Sequence, residues 1–188
     1  MNRREAISAV TLLLGGTILG ADAFLSGCKS PSANAALNFS ADDIGFLNEV
    51  AETILPATST PGAKAAKVGD FMTVIVKDCY EEKDQQVFLK GMQQLQDACK
   101  KACGKSFMDA TPEQRHDLLV SLDKEQKEYQ SKKKPEESSH YFRMMKELTL
   151  WGFFTSEIGA TQALRYVAVP GKYEGCIPYK KGDKAWAT

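Results

Sequence analysis

The residues of this chain that are suited by type to metal or redox chemistry are its five cysteines and two histidines. Cys99 and Cys103 are separated by three residues, so on a helix their sulfur atoms share one face and in principle share a metal ion. No third or fourth ligand lies nearby, and no histidine follows the pair as a c-type haem attachment site requires. The pattern therefore favours two cysteines on a helix face that points to the core.

Neither histidine has metal-ligand spacing to another candidate ligand. His116 is predicted on the side of its helix away from Leu118, Leu119 and Leu122. His140 comes near a predicted helix start, where a polar surface residue is expected. Both side chains are therefore expected to be exposed.

The sequence motifs of nucleotide-dependent and hydrolytic enzymes are missing. The chain contains no Gly-x-Gly-x-x-Gly, no Walker loop and no Gly-x-Ser-x-Gly elbow. Its carboxylate pairs Asp42-Asp43 and Glu81-Glu82 come at predicted helix starts, where the helix dipole accounts for them. We therefore assign no catalytic, cofactor-binding or metal-binding residue, and an enzyme that acts by itself is disfavoured.

The N-terminus has the pattern of an export signal. Arg3 and Arg4 precede an apolar segment over residues 12–19, which contains glycines and is shorter than the roughly 20 apolar residues of a membrane-spanning helix. The order Asn-Arg-Arg-Glu-Ala-Ile-Ser resembles a twin-arginine signal, with Ala6 where phenylalanine is common. An ordinary Sec signal with two arginines is the alternative. Twin-arginine export carries proteins that have already folded, usually around a cofactor.

This signal ends in Leu-Ser-Gly-Cys, which is typical of a lipoprotein whose cysteine, here Cys28, receives diacylglycerol. More than one acyl chain anchors a protein stably to a membrane. We therefore predict a signal peptide over residues 1–27 and a flexible tether over residues 28–38. The mature protein is expected in the periplasm or cell envelope, anchored at a membrane surface through Cys28.

The charge balance excludes one class of partner. The chain carries 24 basic and 24 acidic residues, and removal of residues 1–27 takes away two of each. A neutral chain lacks the basic footprint that nucleic acid requires, so no nucleic-acid partner is expected. Four thiols remain after lipidation, and in an oxidising compartment they pair in three ways.

Hydrophobic periodicity predicts an all-α fold, a single helical bundle of about five or six helices over residues 39–169. Ser40 and Asp43 form a capping-box pattern before a first helix that ends ahead of Pro56. A second helix is predicted over residues 68–79, and a third over residues 83–103, with Gly104 as its stop.

Two further helices follow. Thr111 and Pro112 are a strong helix start. This fourth helix is expected to end at the polar tract over residues 128–139. A fifth helix follows from His140, and the segment after Gly152 is expected to bend into one more short helix. The residues of the fifth helix that are spaced for burial are Tyr141, Met144, Met145, Leu148 and Trp151.

Residues 170–188 are predicted to form an extended C-terminal arm. Its prolines and glycines exclude a regular helix, but its apolar residues are unsuited to a purely solvated tail, so we expect it to lie along its own bundle or a partner's surface. Cys176 is placed to pin the arm, with Cys79 as the intrachain candidate and a partner's cysteine as the alternative. Cys99 and Cys103 are poor partners for each other, because Cβ atoms four residues apart on a helix are too distant for a relaxed disulfide.

Four stretches carry a resemblance to a known family: "AETILPATSTPGAKAAKVGDFM", "DCYEEKDQQVFLKGMQQL", "TPEQRHDLL" and "KELTLWGFFTSEIGATQALRYVAVPGKYEGCIP". They resemble the small subunit, subunit 3, of membrane-bound gluconate 2-dehydrogenase. The similarity covers nearly the whole predicted mature chain and includes the type of export signal.

The resemblance implies a partner rather than chemistry in this chain. Subunits of this family accompany a flavin-containing large subunit of the glucose-methanol-choline type, which holds FAD, often with a cytochrome c subunit that holds haem c. The chain would then serve export, assembly and anchoring of the flavin subunit, and the substrate is not implied. The alternatives are a free-standing lipoprotein that binds a small ligand in its bundle and an electron-transfer subunit, which the lack of a haem or cluster motif disfavours.

Aromatic residues near the C-terminus are the candidates for contact with the large subunit, because aromatic side chains are common interface anchors. For Trp151 and Phe154, filling the bundle core is the competing role. The candidate interface residues are Trp151, Phe153, Phe154, Tyr166 and Trp186.

Overall fold

A computed structural model describes residues 37–169, 171–172 and 175–187 of the chain. The described residues from Phe39 onward belong to one unit. Within them, regular structure is limited to five α-helices, one π-helical turn and a single isolated β-bridge. The elements are α1 (Ala41–Ile54), α2 (Val68–Cys79), α3 (Glu82–Cys103), α4 (Pro112–Lys132), α5 (Tyr141–Thr155) and the π-turn (Gly159–Ala163). The predicted all-α bundle is confirmed.

Local capping chemistry sets several helix ends where the sequence predicted them. Ser40 caps α1 through a reciprocal capping box with Asp43, and Thr111 forms the same box at the start of α4. Both boxes satisfy backbone N–H groups that lack a partner inside the helix. Gly104 ends α3 in the left-handed region, at a φ of 70° that a residue with a Cβ adopts only at a cost.

The start of α2 depends on α1 instead of on its own sequence. Lys67 precedes the helix with a φ of 53° and provides no side-chain cap. The side-chain oxygen of Asn48 in α1 accepts the N–H of Gly69 at 2.8 Å and so supplies the missing cap. A Cβ on Gly69 would lie 2.7 Å from the carbonyl oxygen of Ile44, so only glycine allows this close approach.

Helix α5 is the centre of the bundle, because it packs against each of the other four helices and the π-turn. Its inward side chains include Phe142 and Met145, which are almost wholly buried, and Thr149, whose hydroxyl donates to the carbonyl of Met145. Gly91 of α3 faces the Tyr141 side chain at a distance that leaves no room for a Cβ. The core is therefore assembled around α5 by apolar burial and close helix approach.

Helix α4 is longer than the sequence predicted. It extends into the polar tract over residues 128–139 and ends at Lys132. Tertiary contacts account for the extra turn: Gln126 is buried, and the Tyr129 hydroxyl donates to the carbonyl of Ser138 at 3.2 Å in the loop that follows. These partners are not visible in local sequence periodicity.

Helix α5 continues past Gly152, where the sequence predicted a bend, and breaks at Ser156. A Cβ on Gly152 would lie 2.6 Å from the Phe71 ring of α2, so this glycine serves helix approach. The buried line of α5 passes through Leu148 and Gly152, and Trp151 is exposed instead of buried. After the break, the Ser156 hydroxyl accepts the N–H of Gly159 at the start of the π-turn.

Candidate partner interface

An aromatic pair joins α2 and α5 at the protein surface. The rings of Phe71 and Trp151 meet edge to face, with centroids 5.2 Å apart and an angle of 87° between their planes. Phe71 is half-buried against Gly152, whereas Trp151 is 52% exposed. The Trp151 ring is thus held in place by one neighbour and presents its other side to solvent.

Exposed apolar side chains continue this surface one turn further along each helix. Val74 follows Phe71 by three residues in α2, and Phe154 follows Trp151 by three residues in α5. Residues three apart on a helix are neighbours on one side. Both side chains are exposed, and Phe71, Val74, Trp151 and Phe154 are together called the aromatic face below.

Exposed large apolar residues are unevenly distributed along the described part of the chain. Nine of thirteen come after Thr149, although this segment is the smaller part of the described residues. Trp151 and Phe154 of this set belong to the aromatic face, and a large exposed apolar patch is typical of a site that another molecule covers. The nine are Leu150, Trp151, Phe154, Tyr166, Val167, Val169, Ile177, Tyr179 and Trp186.

The C-terminal arm is tied back to the segment after the π-turn. Arg165 donates its N–H to the carbonyl of Ala185 at 2.8 Å, and its own carbonyl accepts the N–H of Ala187 at 3.0 Å. The Arg165 guanidinium lies 4.1 Å from the Trp186 ring centroid, a cation–π contact. Lys184 donates to the carbonyl of Gln162. These contacts join residues 184–187 of the arm to residues 162–165, although most described arm residues are exposed.

A second feature, the charge junction, consists of Glu49 in α1, Lys64 in the following loop and Arg115 in α4. Glu49 accepts from Lys64, and its second oxygen lies 2.6 Å from Nη1 of Arg115. The Glu49 and Arg115 side chains are each only 16% exposed. Burial raises the pKa of Glu49, but Lys64 and Arg115 outweigh burial and hold that pKa below its usual value.

A third feature is an open groove of about 440 Å³ at the start of α5, lined in part by Glu125, Tyr129, His140 and Tyr141. His140 Nδ1 accepts the N–H of Phe142 at 3.2 Å and so caps α5, and its Nε2 lies 3.6 Å from the Glu125 carboxylate. Burial lowers the pKa of His140, and the Glu125 charge opposes this. Burial and Glu125 together raise the pKa of Tyr141 to about 12.

Comparison with known proteins identifies the family of the chain. The family model described as gluconate 2-dehydrogenase subunit 3 matches residues 41–171, which span all five α-helices, the π-turn and the link to the arm. The chain belongs to the gluconate 2-dehydrogenase subunit 3 family. Searches of curated proteins and of solved structures found no match.

Membership of the gluconate 2-dehydrogenase subunit 3 family confirms the resemblance that the sequence carried. The family description is that of one subunit of a dehydrogenase complex, which implies partner subunits. None of the helices in the described residues is long and apolar enough to cross a membrane.

The five predicted interface residues of this family member fall into two groups. Phe153 is 4% exposed, with its ring edge to face with that of Phe154, so it offers almost no surface to a partner. Trp151, Phe154, Tyr166 and Trp186 are exposed. Their role in partner binding stays a prediction.

Sequence reasoning missed Phe71 and Val74. A signal for them was present, because α2 carries apolar residues on its outward side as well as along the buried line of Val68, Met72 and Val76. A helix that is apolar on more than one side needs more than one covering surface.

The sequence also predicted two exposed histidines. His116 is exposed, as expected. The expectation for His140 is wrong, because its side chain is only 9% exposed. The side chain is largely covered because its ring contacts those of Tyr129 and Tyr141 while it caps α5.

The remaining candidate residues are thiols and the export signal. Cys79 and Cys176 are both exposed and unpaired, so a bridge between them, or from Cys176 to a partner, stays a prediction. Arg3, Arg4 and Cys28 lie outside the described residues. In the described part of the chain, no group of three or more histidine, cysteine or acidic side chains is arranged to hold a metal ion.

Proposed function

We propose that this chain is a non-catalytic accessory subunit that binds, exports and anchors the flavin subunit of a sugar or sugar-acid dehydrogenase. FAD, and haem c where a cytochrome c subunit is present, would reside in the partner chains. The observation that carries the proposal is the exposed aromatic face in a member of a dehydrogenase-subunit family. The flavin subunit is the occupant proposed for that face.

The aromatic face is suited to be the main contact with the flavin subunit. Phe71 supports one edge of the Trp151 ring, so less side-chain entropy is lost when a partner covers it than for an unsupported ring. Tryptophan is among the residues that dominate binding energy at the centre of an interface. Val74 and Phe154 extend the apolar surface around it.

The predicted export signal gives the complex of the two subunits a route across the membrane. A flavin subunit that folds around FAD in the cytoplasm, and has no signal of its own, would cross the membrane bound to this chain. Arg3 and Arg4 would direct the complex to the twin-arginine route, and the lipid on Cys28 would hold it at the membrane.

Co-expression of the full chain with a flavin subunit of the glucose-methanol-choline type from the same genome tests the proposal directly. We expect the two chains to co-purify from the cell envelope as a yellow, FAD-containing dehydrogenase. The double variant Arg3→Lys/Arg4→Lys keeps the charge but removes the arginine pair, so both subunits should accumulate in the cytoplasm. Normal export of the double variant would indicate the Sec route and remove the argument for a folded cargo.

The anchor is tested separately by Cys28→Ala. We expect this variant to release an active complex from the membrane fraction, because the chemistry belongs to the partner. A complex that stays membrane-bound to the wild-type extent would show that the lipid is not the main anchor.

The competing function is a free-standing lipoprotein that binds a small ligand. The groove at His140 is the observation that favours it, because the Ser138 hydroxyl is buried nearby without a hydrogen-bond partner among the described atoms. Co-purification separates the two functions: a ligand-binding module would be recovered alone from the envelope even when the flavin subunit is expressed with it.

A further inference from the structure

Two cysteine sulfur atoms are in contact at the end of α3. The Sγ atoms of Cys99 and Cys103 are 3.5 Å apart, and the Cys103 thiol donates to the carbonyl of Cys99 at 3.1 Å. Within the described part of the chain, these are the only two cysteines whose sulfur atoms meet. Cys99 is 1% exposed, whereas Cys103 is partly accessible to solvent.

This arrangement separates two roles in thiol–disulfide exchange. A disulfide oxidant can reach only the accessible sulfur, which belongs to Cys103. The buried Cys99 sulfur is already at contact distance and is shielded from a second oxidant molecule. Attack on a mixed disulfide by a neighbouring thiol is the general second step of such exchange.

We propose that Cys99 and Cys103 are a dithiol modification site, in which Cys103 reacts with a disulfide oxidant and Cys99 resolves the product. In the first step the Cys103 thiolate attacks the oxidant's disulfide, forms a mixed disulfide and releases one thiol. In the second step the Cys99 thiolate attacks the Cys103 sulfur and releases the second thiol. The two cysteines lose two electrons and two protons, and the oxidant's disulfide gains them.

The end of the helix makes the bond possible and also keeps it strained. Cβ atoms four residues apart on a helix are about 5–6 Å apart, whereas a disulfide requires about 3.5–4.5 Å. Cys103 is the last residue of α3, and Lys100, Lys101 and Ala102 are exposed, so the last turn can deform without opening the core. Strained disulfides are the more readily reduced ones, so the bond should be reversible.

The surroundings of Cys99 affect the second step. In the free dithiol, burial and then the Cys103 thiol raise the pKa of Cys99 to about 11, although the nearby Arg115 charge opposes them. In the mixed disulfide Cys103 is no longer a thiol, and burial is the cause that still raises the pKa of Cys99. Below that pKa the thiolate fraction rises about tenfold for each pH unit. Conversion of the mixed disulfide to the internal disulfide should therefore accelerate about tenfold between pH 7 and pH 8.

The test uses the full chain with Cys28, Cys79 and Cys176 replaced by serine, so that only the pair remains, and oxidised glutathione as the oxidant. Trypsin cuts after Lys100 and Lys101, between the two cysteines. We expect the peptides 91–100 and 102–105 to stay joined until a reductant is added, and the intact chain to have lost two hydrogens and to carry no glutathione.

Two single variants in this background assign the roles. Cys99→Ala should retain one glutathione on Cys103, because the resolving thiol is missing. Cys103→Ser should remain unmodified, because Cys99 is buried. The proposal is overturned if the pair keeps glutathione on Cys103, if both thiols stay free, or if Cys103→Ser is modified at Cys99. If the triple serine background does not fold, the same joined peptides are sought in the unsubstituted chain.

Discussion

The charge junction and the aromatic face each join two helices, but they differ in which kind of side chain is exposed to solvent. At the charge junction, Glu49 and Arg115, whose side chains usually lie at the surface, are largely buried and paired with each other. At the aromatic face, rings that usually lie in the core are exposed to solvent. A buried charge and a cluster of exposed apolar side chains are both more informative than their opposites. The charges of the first surface are paired within the chain, whereas the apolar side chains of the second would be covered only by a partner, as we propose.

The pairing at the charge junction is nearly complete. Arg115 donates an N–H from Nη1 to Glu49 and one from Nη2 to the carbonyl of Met108 at 2.6 Å, and its buried Nε has no partner among the described atoms. Its guanidinium also lies 5.4 Å from the Phe107 ring centroid, and Phe107 meets Phe46 edge to face in the core. The pair therefore links a loop and two helices to the apolar core, and its removal should affect folding.

The largest expected effect is on stability at the charge junction. Arg115→Met leaves the Glu49 carboxylate largely buried with only the exposed Lys64 as a partner. Loss of one member of a buried pair costs about 3 kcal/mol or more, and we expect about 3 kcal/mol of lost unfolding free energy, measured by urea denaturation. Lys64→Met is the matched control, because an exposed ion pair contributes about 1 kcal/mol or less. Equal losses for both variants would show that burial does not distinguish the two pairs.

The next effect is on binding at the aromatic face. Trp151→Ser should weaken binding of the flavin subunit by about 2 kcal/mol, which is roughly 30-fold in Kd. Its unfolding free energy should fall by about 1 kcal/mol or less, because mainly the edge contact with Phe71 is lost. Affinity is measured by titrating the purified flavin subunit onto the immobilised chain.

Val120→Ser is the matched control for Trp151, because Val120 is exposed on α4, a helix that carries no residue of the aromatic face. It should leave the affinity unchanged. A Trp151→Ser variant that binds normally but is destabilised by several kcal/mol would reverse the assignment and make the ring a structural residue.

The helix ends were predictable from local sequence, whereas the exposure of Trp151 at the aromatic face was not. Helix starts at Ser40 and Thr111 and the stop at Gly104 were predictable, because capping is decided within three or four residues. The exposure of Trp151 was not, because periodicity placed it near the buried line of α5. The Phe71 ring lies against Gly152, so α5 turns Gly152 toward α2 while the neighbouring Trp151 is exposed, and this contact joins residues that are distant in the sequence.

A smaller effect is expected where the arm returns to the bundle. Trp186→Ala removes the cation–π contact with Arg165, which is worth about 0.5–1 kcal/mol at an exposed site. Amide exchange at Arg165 and Ala187 should accelerate roughly 2- to 5-fold, as measured by hydrogen exchange. Tyr179→Ala, at a ring that is 76% exposed, is the control and should leave these amides unchanged. Unchanged exchange in Trp186→Ala would mean that the backbone bonds alone hold the arm.

The smallest effect concerns His140. Its titratable ring is largely covered, as the charges of Glu49 and Arg115 are, and its neighbours include two aromatic rings. Its Nδ1 accepts from Phe142 only while that nitrogen is unprotonated. Burial lowers its pKa in the folded chain below 6.5, so the unfolded chain binds the proton first as pH falls. The stabilisation is complete above about pH 6.5 and is lost as pH falls toward the folded pKa, with a slope of at most about 1.4 kcal/mol per pH unit. Glu125 and the tyrosines Tyr129 and Tyr141 face the ring, and only the Glu125 carboxylate opposes the shift by charge.

His140→Asn separates the cap from the titration, because asparagine still accepts the backbone N–H at a helix start. Its unfolding free energy should therefore depend less steeply on pH than that of the wild type between pH 6.5 and 5, with stability near pH 7.5 changed by only about 1 kcal/mol. His116→Asn, at the other histidine of the chain, is the matched control and should keep the wild-type slope. If His140→Asn also keeps that slope, the Glu125 charge cancels the effect of burial on the pKa of His140. His140 would then be paired with a charge of its own chain, as Glu49 is at the charge junction.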